Sequence, residues 1–105
     1  MLTPDSLAAL GKNMAEKGLV LAMYLNIPTT RLVNLRLAGS EKNLSEDDMA
    51  IEMLTLWKTL RATAKDKDKV ADLERALKEM GKTEHAEVLM EKYQADMELT
   101  ADCFT

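Results

Sequence analysis

The chain has 105 residues, of which 47% are apolar and 30% charged, and it carries a net charge of −4. That length fits one domain, and the apolar share is enough for a core, although chains of this size are only marginally stable. The negative balance gives no support to nonspecific nucleic-acid binding, and one cysteine with one histidine can make neither an internal disulfide nor a metal site.

Thr3-Pro4 reads as an N-cap followed by proline at the first helical position, where the missing N–H costs nothing. Leu2 and Leu7 have the spacing of a hydrophobic staple around that cap. The first helix runs to about Asn13 with Leu7, Leu10 and Met14 on one face, and Gly11 and Gly18 bracket a break. A second helix covers roughly Glu16 to Leu25. It is apolar nearly all round, which predicts that other helices surround it.

Asn26-Ile27-Pro28 ends that helix, because a residue before proline is pushed out of the helical region. Thr29 or Thr30 then caps a short third helix, Arg31 to about Ala38, with Leu32, Val33 and Leu35 inward and Gly39 as its stop. The fourth helix, Glu46 to about Ala62, has the clearest start. Ser45 is a good N-cap, Glu46, Asp47 and Asp48 place negative charge at the positive end of the dipole, and Leu44 with Met49 forms a staple. Met49, Met53, Leu56, Trp57 and Leu60 follow on one face.

Lys65-Asp66-Lys67-Asp68-Lys69 reads as a solvated mixed-charge connector in which Asp66 or Asp68 caps a fifth helix. That helix carries Val70, Leu73, Leu77 and Met80 on one side and stops at Gly81. Thr83 caps the sixth, with Ala86, Leu89, Met90 and Tyr93 inward. Past Ala95 the chain is acidic without a basic residue, and either extends the sixth helix or frays as a tail. The expected organisation is therefore a six-helix unit over 1–94 and an acidic segment over 95–105.

Aromatic residues make up only 4%, so the core is expected from Leu, Met, Ala and Val, with eight methionines suited to adaptable packing. The longest apolar run, Leu19 to Leu25, is far short of the ~20 residues that cross a bilayer. The N-terminus lacks the pattern of a signal peptide, which together with the single thiol points to a reducing, intracellular setting. Cys103 stands one place too late for a prenylation signal. Ser45 in the sequon Asn43-Leu44-Ser45 is better explained as a cap.

No catalytic constellation emerges. His85, the only histidine, lies near a helix start that disfavours its charged form, and Cys103 has no base within sequence reach. The four glycines are isolated, so no phosphate-binding loop is present, and the carboxylate groups fall at helix starts and exposed faces. The expectation is a non-enzyme without cofactor or metal.

Three stretches resemble the death-domain family. Leu21-Ala22-Met23-Tyr24-Leu25-Asn26-Ile27-Pro28 is similar to its Leu-Ala-x-x-Leu-(Gly/Asn)-Ile pattern at the end of the second helix. Met53-Leu54-Thr55-Leu56-Trp57 is similar to its Met-Leu-x-x-Trp on the fourth. Leu73-Glu74-Arg75-Ala76-Leu77-Lys78-Glu79-Met80-Gly81 is similar to its Leu-x-x-Ala-Leu-x-x-(apolar)-Gly on the fifth, with Ala86, Val88 and Leu89 following. The likeness extends from Leu7 to Tyr93, in the manner of receptor and Fas-associated adaptor death domains. One departure is Gly18-Leu19, where many members have a tryptophan.

The resemblance implies an all-α fold, a six-helix antiparallel Greek-key bundle of the death-fold type. It also implies homotypic association with other death-domain proteins or with itself, in cytoplasmic signalling such as apoptosis or inflammation, without nucleic acid or membrane insertion. Two opposed patches are candidates for partner binding: Arg31 and Arg36, with Lys42 nearby, and Glu46, Asp47 and Glu52 on the outer face of the fourth helix. A caspase-recruitment-type member of the same fold is one alternative. A helix-turn-helix module that reads DNA through Arg31, Asn34 and Arg36 is another.

Overall fold

The computed structural model describes residues 2–14 and 17–104. Those residues form six α-helices and no strand: α1 Pro4–Lys12, α2 Gly18–Tyr24, α3 Thr29–Glu41, α4 Glu46–Leu60, α5 Asp66–Glu79 and α6 Thr83–Gln94, followed by a 3-10 turn at Ala101–Phe104. The expected all-α class and the six helices are observed. The expected start of the second helix at Glu16 lies outside the described residues.

Two helix starts are capped as their sequences predict. The Thr3 hydroxyl accepts from the Ser6 N–H at 3.2 Å, and the Ser45 hydroxyl from the Asp48 N–H at 3.1 Å. The other expected caps are displaced by one or more residues. Pro28, Lys65 and Lys82 occupy the cap positions of α3, α5 and α6 and make no side-chain cap bond. Thr29, Asp66 and Thr83 instead begin their helices, and the acidic residues in the first turn of α5 act through the dipole rather than as caps. The charged run 65–69 is thus mostly helix, and its last residue, Lys69, is buried.

Four helices stop by one device. After α2, α3, α5 and α6 a left-handed residue follows the cap: Asn26 (φ 62°), Asn43 (φ 57°), Gly81 (φ 86°) and Asp96 (φ 55°). At each stop the next residue's N–H returns to a carbonyl five residues back: Ile27 to Ala22, Leu44 to Gly39, Lys82 to Leu77 and Met97 to Lys92. This is the Schellman arrangement, which satisfies carbonyls that the helix end leaves free. Asn43, not Gly39, therefore ends α3. Gly39 lies within the helix and is buried, and a Cβ there would run into the Met49 side chain.

α4 is the central packing element and contacts α1, α2 and α3, while α5 packs on α6 and α2. Two close approaches bring α1 and α2 against it. A Cβ built on Gly11 would stand 2.7 Å from the Ile51 side chain and 3.0 Å from its backbone N, and one on Gly18 would stand 2.7 Å from the Ala50 Cβ. The glycines are contact points, not only punctuation.

Leu7, Leu10, Met14, Leu21, Met53, Trp57, Val70, Leu73, Leu77, Ala86 and Leu89 form the buried centre. Leu56, Met80, Met90 and Tyr93 pack partly buried around it. Three expectations fail at the margin. Val33 is exposed rather than inward, Leu60 at the end of α4 is exposed, and α2 is not surrounded, since Val20, Met23 and Tyr24 face outward. The radius of gyration, 12.8 Å, is close to the ~13 Å of a compact 100-residue domain.

The segment after α6 neither extends that helix nor frays over its full length. It reverses at Asp96, and Leu99 enters the core, where its backbone N–H donates to the Ser6 hydroxyl of α1 at 2.9 Å. The 3-10 turn then rests on α1 and α6.

Candidate interaction surface

Arg36 and Glu46, expected on opposed patches, meet on one surface. The Arg36 Nη1 lies 3.9 Å from the Glu46 Oε2, with both side chains about half exposed. The end of α3, its asparagine stop and the Ser45 cap together form a tight corner that sets the start of α4 beside the middle of α3. Arg31, Lys42 and Glu52 are exposed, and Asp47 is half-buried. None of these four makes an ion pair among the described residues. An ion pair at this distance and exposure contributes only about 0–1 kcal/mol, so a partner can exchange for either member at little cost.

An exposed apolar face, including Val33 and the α2 residues expected inward, lies next to this pair. Seven large apolar side chains are exposed among the described residues, and five of them lie on α2 and α3: Val20, Met23, Tyr24, Val33 and Leu37. Met23, Leu37 and Val33 are the most open, at 63%, 61% and 50%. Between the two helices runs a groove of about 230 Å³ lined by Leu19, Met23, Thr29, Leu32, Val33 and Arg36. Arg36 therefore borders the groove on one side and Glu46 on the other. A signal for this face was present in the sequence. Leu32 and Leu35, three apart, share one side of α3, while Val33 and Leu37, four apart, share a different one. One helix against one core cannot bury both pairs.

His85 and Cys103, distant in sequence, line one cavity of about 220 Å³ with Glu84, Val88 and Phe104. The His85 ring stacks on Phe104 with centroids 4.9 Å apart. The Cys103 sulfur accepts a hydrogen bond from the Thr100 N–H at 3.4 Å, and the Thr100 hydroxyl lies at the same distance. Burial pushes the thiol's pKa up, but Thr100 and the nearby Lys92 outweigh it and hold the thiol below its ordinary value. Among the described residues no group of three or more His, Cys, Asp or Glu is placed to hold a metal ion, and no helix is long and apolar enough to cross a membrane. The geometry thus defines an all-helical domain with one apolar, charge-flanked outer face. No protein-family model, curated protein or solved structure matches the chain.

Proposed function

We propose that this chain is a protein-association module that docks on other helical domains, its own kind included, through the outer face of α2 and α3. The observation that carries this reading is the coincidence of the exposed Met23, Val33 and Leu37 with the loosely paired Arg36 and Glu46. Exposed apolar clusters rimmed by polar groups mark interaction sites. A surface that holds both charges side by side is also self-complementary, since a two-fold axis sets each Arg36 against the other copy's Glu46. Homotypic pairing in a death-type Greek-key bundle, within cytoplasmic signalling, is the form of association that the sequence resemblance favours. Arg31, Asp47 and Glu52 would then steer the encounter from the rim.

The DNA-reading alternative has Arg31, Asn34 and Arg36 exposed on α3 in its favour. The net charge of −4 and the carboxylate beside Arg36 oppose it, because phosphate repulsion acts on both.

The test pairs two double variants, Val33→Glu/Leu37→Glu and Arg31→Glu/Arg36→Glu, in sedimentation over a range of protein concentrations and in co-precipitation from cytosol. Both are expected to abolish association while leaving the thermal midpoint close to wild type, since neither pair is buried. Wild-type association that neither variant weakens would overturn the reading. Salt-sensitive binding to duplex DNA would replace it with the alternative.

A further inference from the structure

Two polar side chains are buried among the described residues, Ser6 and Lys69. Ser6 is accounted for by its hydrogen bonds with Thr3 and Leu99. Lys69 has no comparable partner. Its side chain is 9% exposed, and the nearest carboxylate, Asp66, is 3.9 Å away and itself 67% exposed. It also stands in the opening turns of α5, where the helix dipole disfavours a cation. The stem is packed while the ammonium keeps only this long ion pair among the described residues.

Lys69 lines a cavity of about 450 Å³ between the start of α1, the end of α4 and the start of α5. Pro4, Leu7 and Ala62 give it apolar walls. Thr55 and Thr59 also line it, but their hydroxyl protons are committed to the carbonyls of Ile51 and Thr55. Lys58 supplies a second ammonium, half-buried and without an ion pair among the described residues. The volume lies in the range of small-molecule sites, roughly 300–1,000 Å³. Its polar character is cationic and its walls are apolar.

We propose that this cavity binds a free amphipathic carboxylate, its chain against Pro4, Leu7 and Ala62 and its head between Lys58 and Lys69. The anion supplies a second carboxylate to an ammonium whose ion pair among the described residues is the long one to the exposed Asp66, and it sits at the favourable end of the α5 dipole. The site shares no lining residue with the α2–α3 groove.

Decanoate, kept below its micelle-forming concentration, is the probe, titrated into the full chain and followed by ¹H–¹⁵N NMR. Saturable shifts are expected at the amides of Thr55, Lys58, Thr59, Ala62 and Lys69. Decanol should bind at least about tenfold more weakly, the effect of losing one charge-assisted hydrogen bond. Lys58→Met and Lys69→Met should each weaken decanoate by about the same factor. Should Lys69→Met fail to fold, the half-buried Lys58 carries the test alone. Val33→Glu/Leu37→Glu should bind decanoate unchanged, which separates this site from the association face. Absence of saturable shifts, equal affinity for decanol, or binding only to vesicles of anionic phospholipid would overturn the proposal.

Discussion

His85 lies near the start of α6 with its ring against Phe104, so a titrating group touches the returning end of the chain. Burial is the main cause that lowers its pKa below the ordinary 6.5. Lys82 acts in the same direction, and Glu84 pulls the other way. The unfolded chain therefore takes up the histidine proton before the folded one does. Stability should fall as pH drops through the window just below about 6.5, and rise again with pH across it. The urea midpoint measured from pH 7 to pH 5 checks this. His85→Gln should flatten the slope in the upper part of that range, and an unchanged slope would show that the histidine is not its source. The direction was legible from the helix start, but the main cause, burial, was not. His85 reads there as a surface or half-buried residue at a helix start; its stacking on Phe104 is hidden, because Phe104 is nineteen positions away and only the reversal at Asp96 brings it back.

Helices are positioned by what their smallest residues allow. Gly11 faces Ile51 of α4, including its backbone N, which cannot move aside as a flexible side-chain end can. Gly11→Ala should therefore destabilise the fold by about 1–3 kcal/mol through overpacking. In an exposed helix the same change would gain roughly 1 kcal/mol from propensity. Chemical denaturation decides between them, and a stabilised variant would show that α1 and α4 are less tightly apposed.

The sequence was most legible where one residue carried one signal. Thr3, Pro4 and Ser45 marked their helix starts correctly, and the stripes through Leu73 and Leu77 and through Met53 and Trp57 marked the core. It was least legible where two signals competed. Gly39 resembled a stop but serves a close contact, while Asn43, with a side chain that tolerates a left-handed backbone, ends the helix. Val33 read as core from hydrophobicity alone, yet its pairing with Leu37 places it outward. Of the candidate surface, Arg36 and Glu46 were readable as charges. Their mutual contact and the apolar groove beside them depend on the α3–α4 corner, which no local pattern encodes.

Across the whole molecule, the two surface concavities share no lining residue. The α2–α3 face is apolar and flanked by charge, the Lys58–Lys69 cavity lies between α1, α4 and α5, and α4 links the two by packing on α1, α2 and α3. The fold is closed at one further point, where the Ser6 hydroxyl accepts from the Leu99 N–H. Ser6→Ala should cost about 1–3 kcal/mol, because it leaves a buried donor without a partner. Equilibrium unfolding gives the loss, and hydrogen exchange at the Leu99 amide should accelerate. An exchange rate equal to wild type would mean that Leu99 finds another acceptor.

That bond spans 93 residues, nearly the full chain. On a ribosome, Ser6 is made 93 residues before its partner. α1 can gather its early neighbours, but it cannot complete its hydrogen bonding until translation has passed Leu99. A nascent chain arrested before that point keeps the Thr3 contact to the Ser6 hydroxyl and lacks the Leu99 donor, so closure of this bond reports that synthesis has passed Leu99.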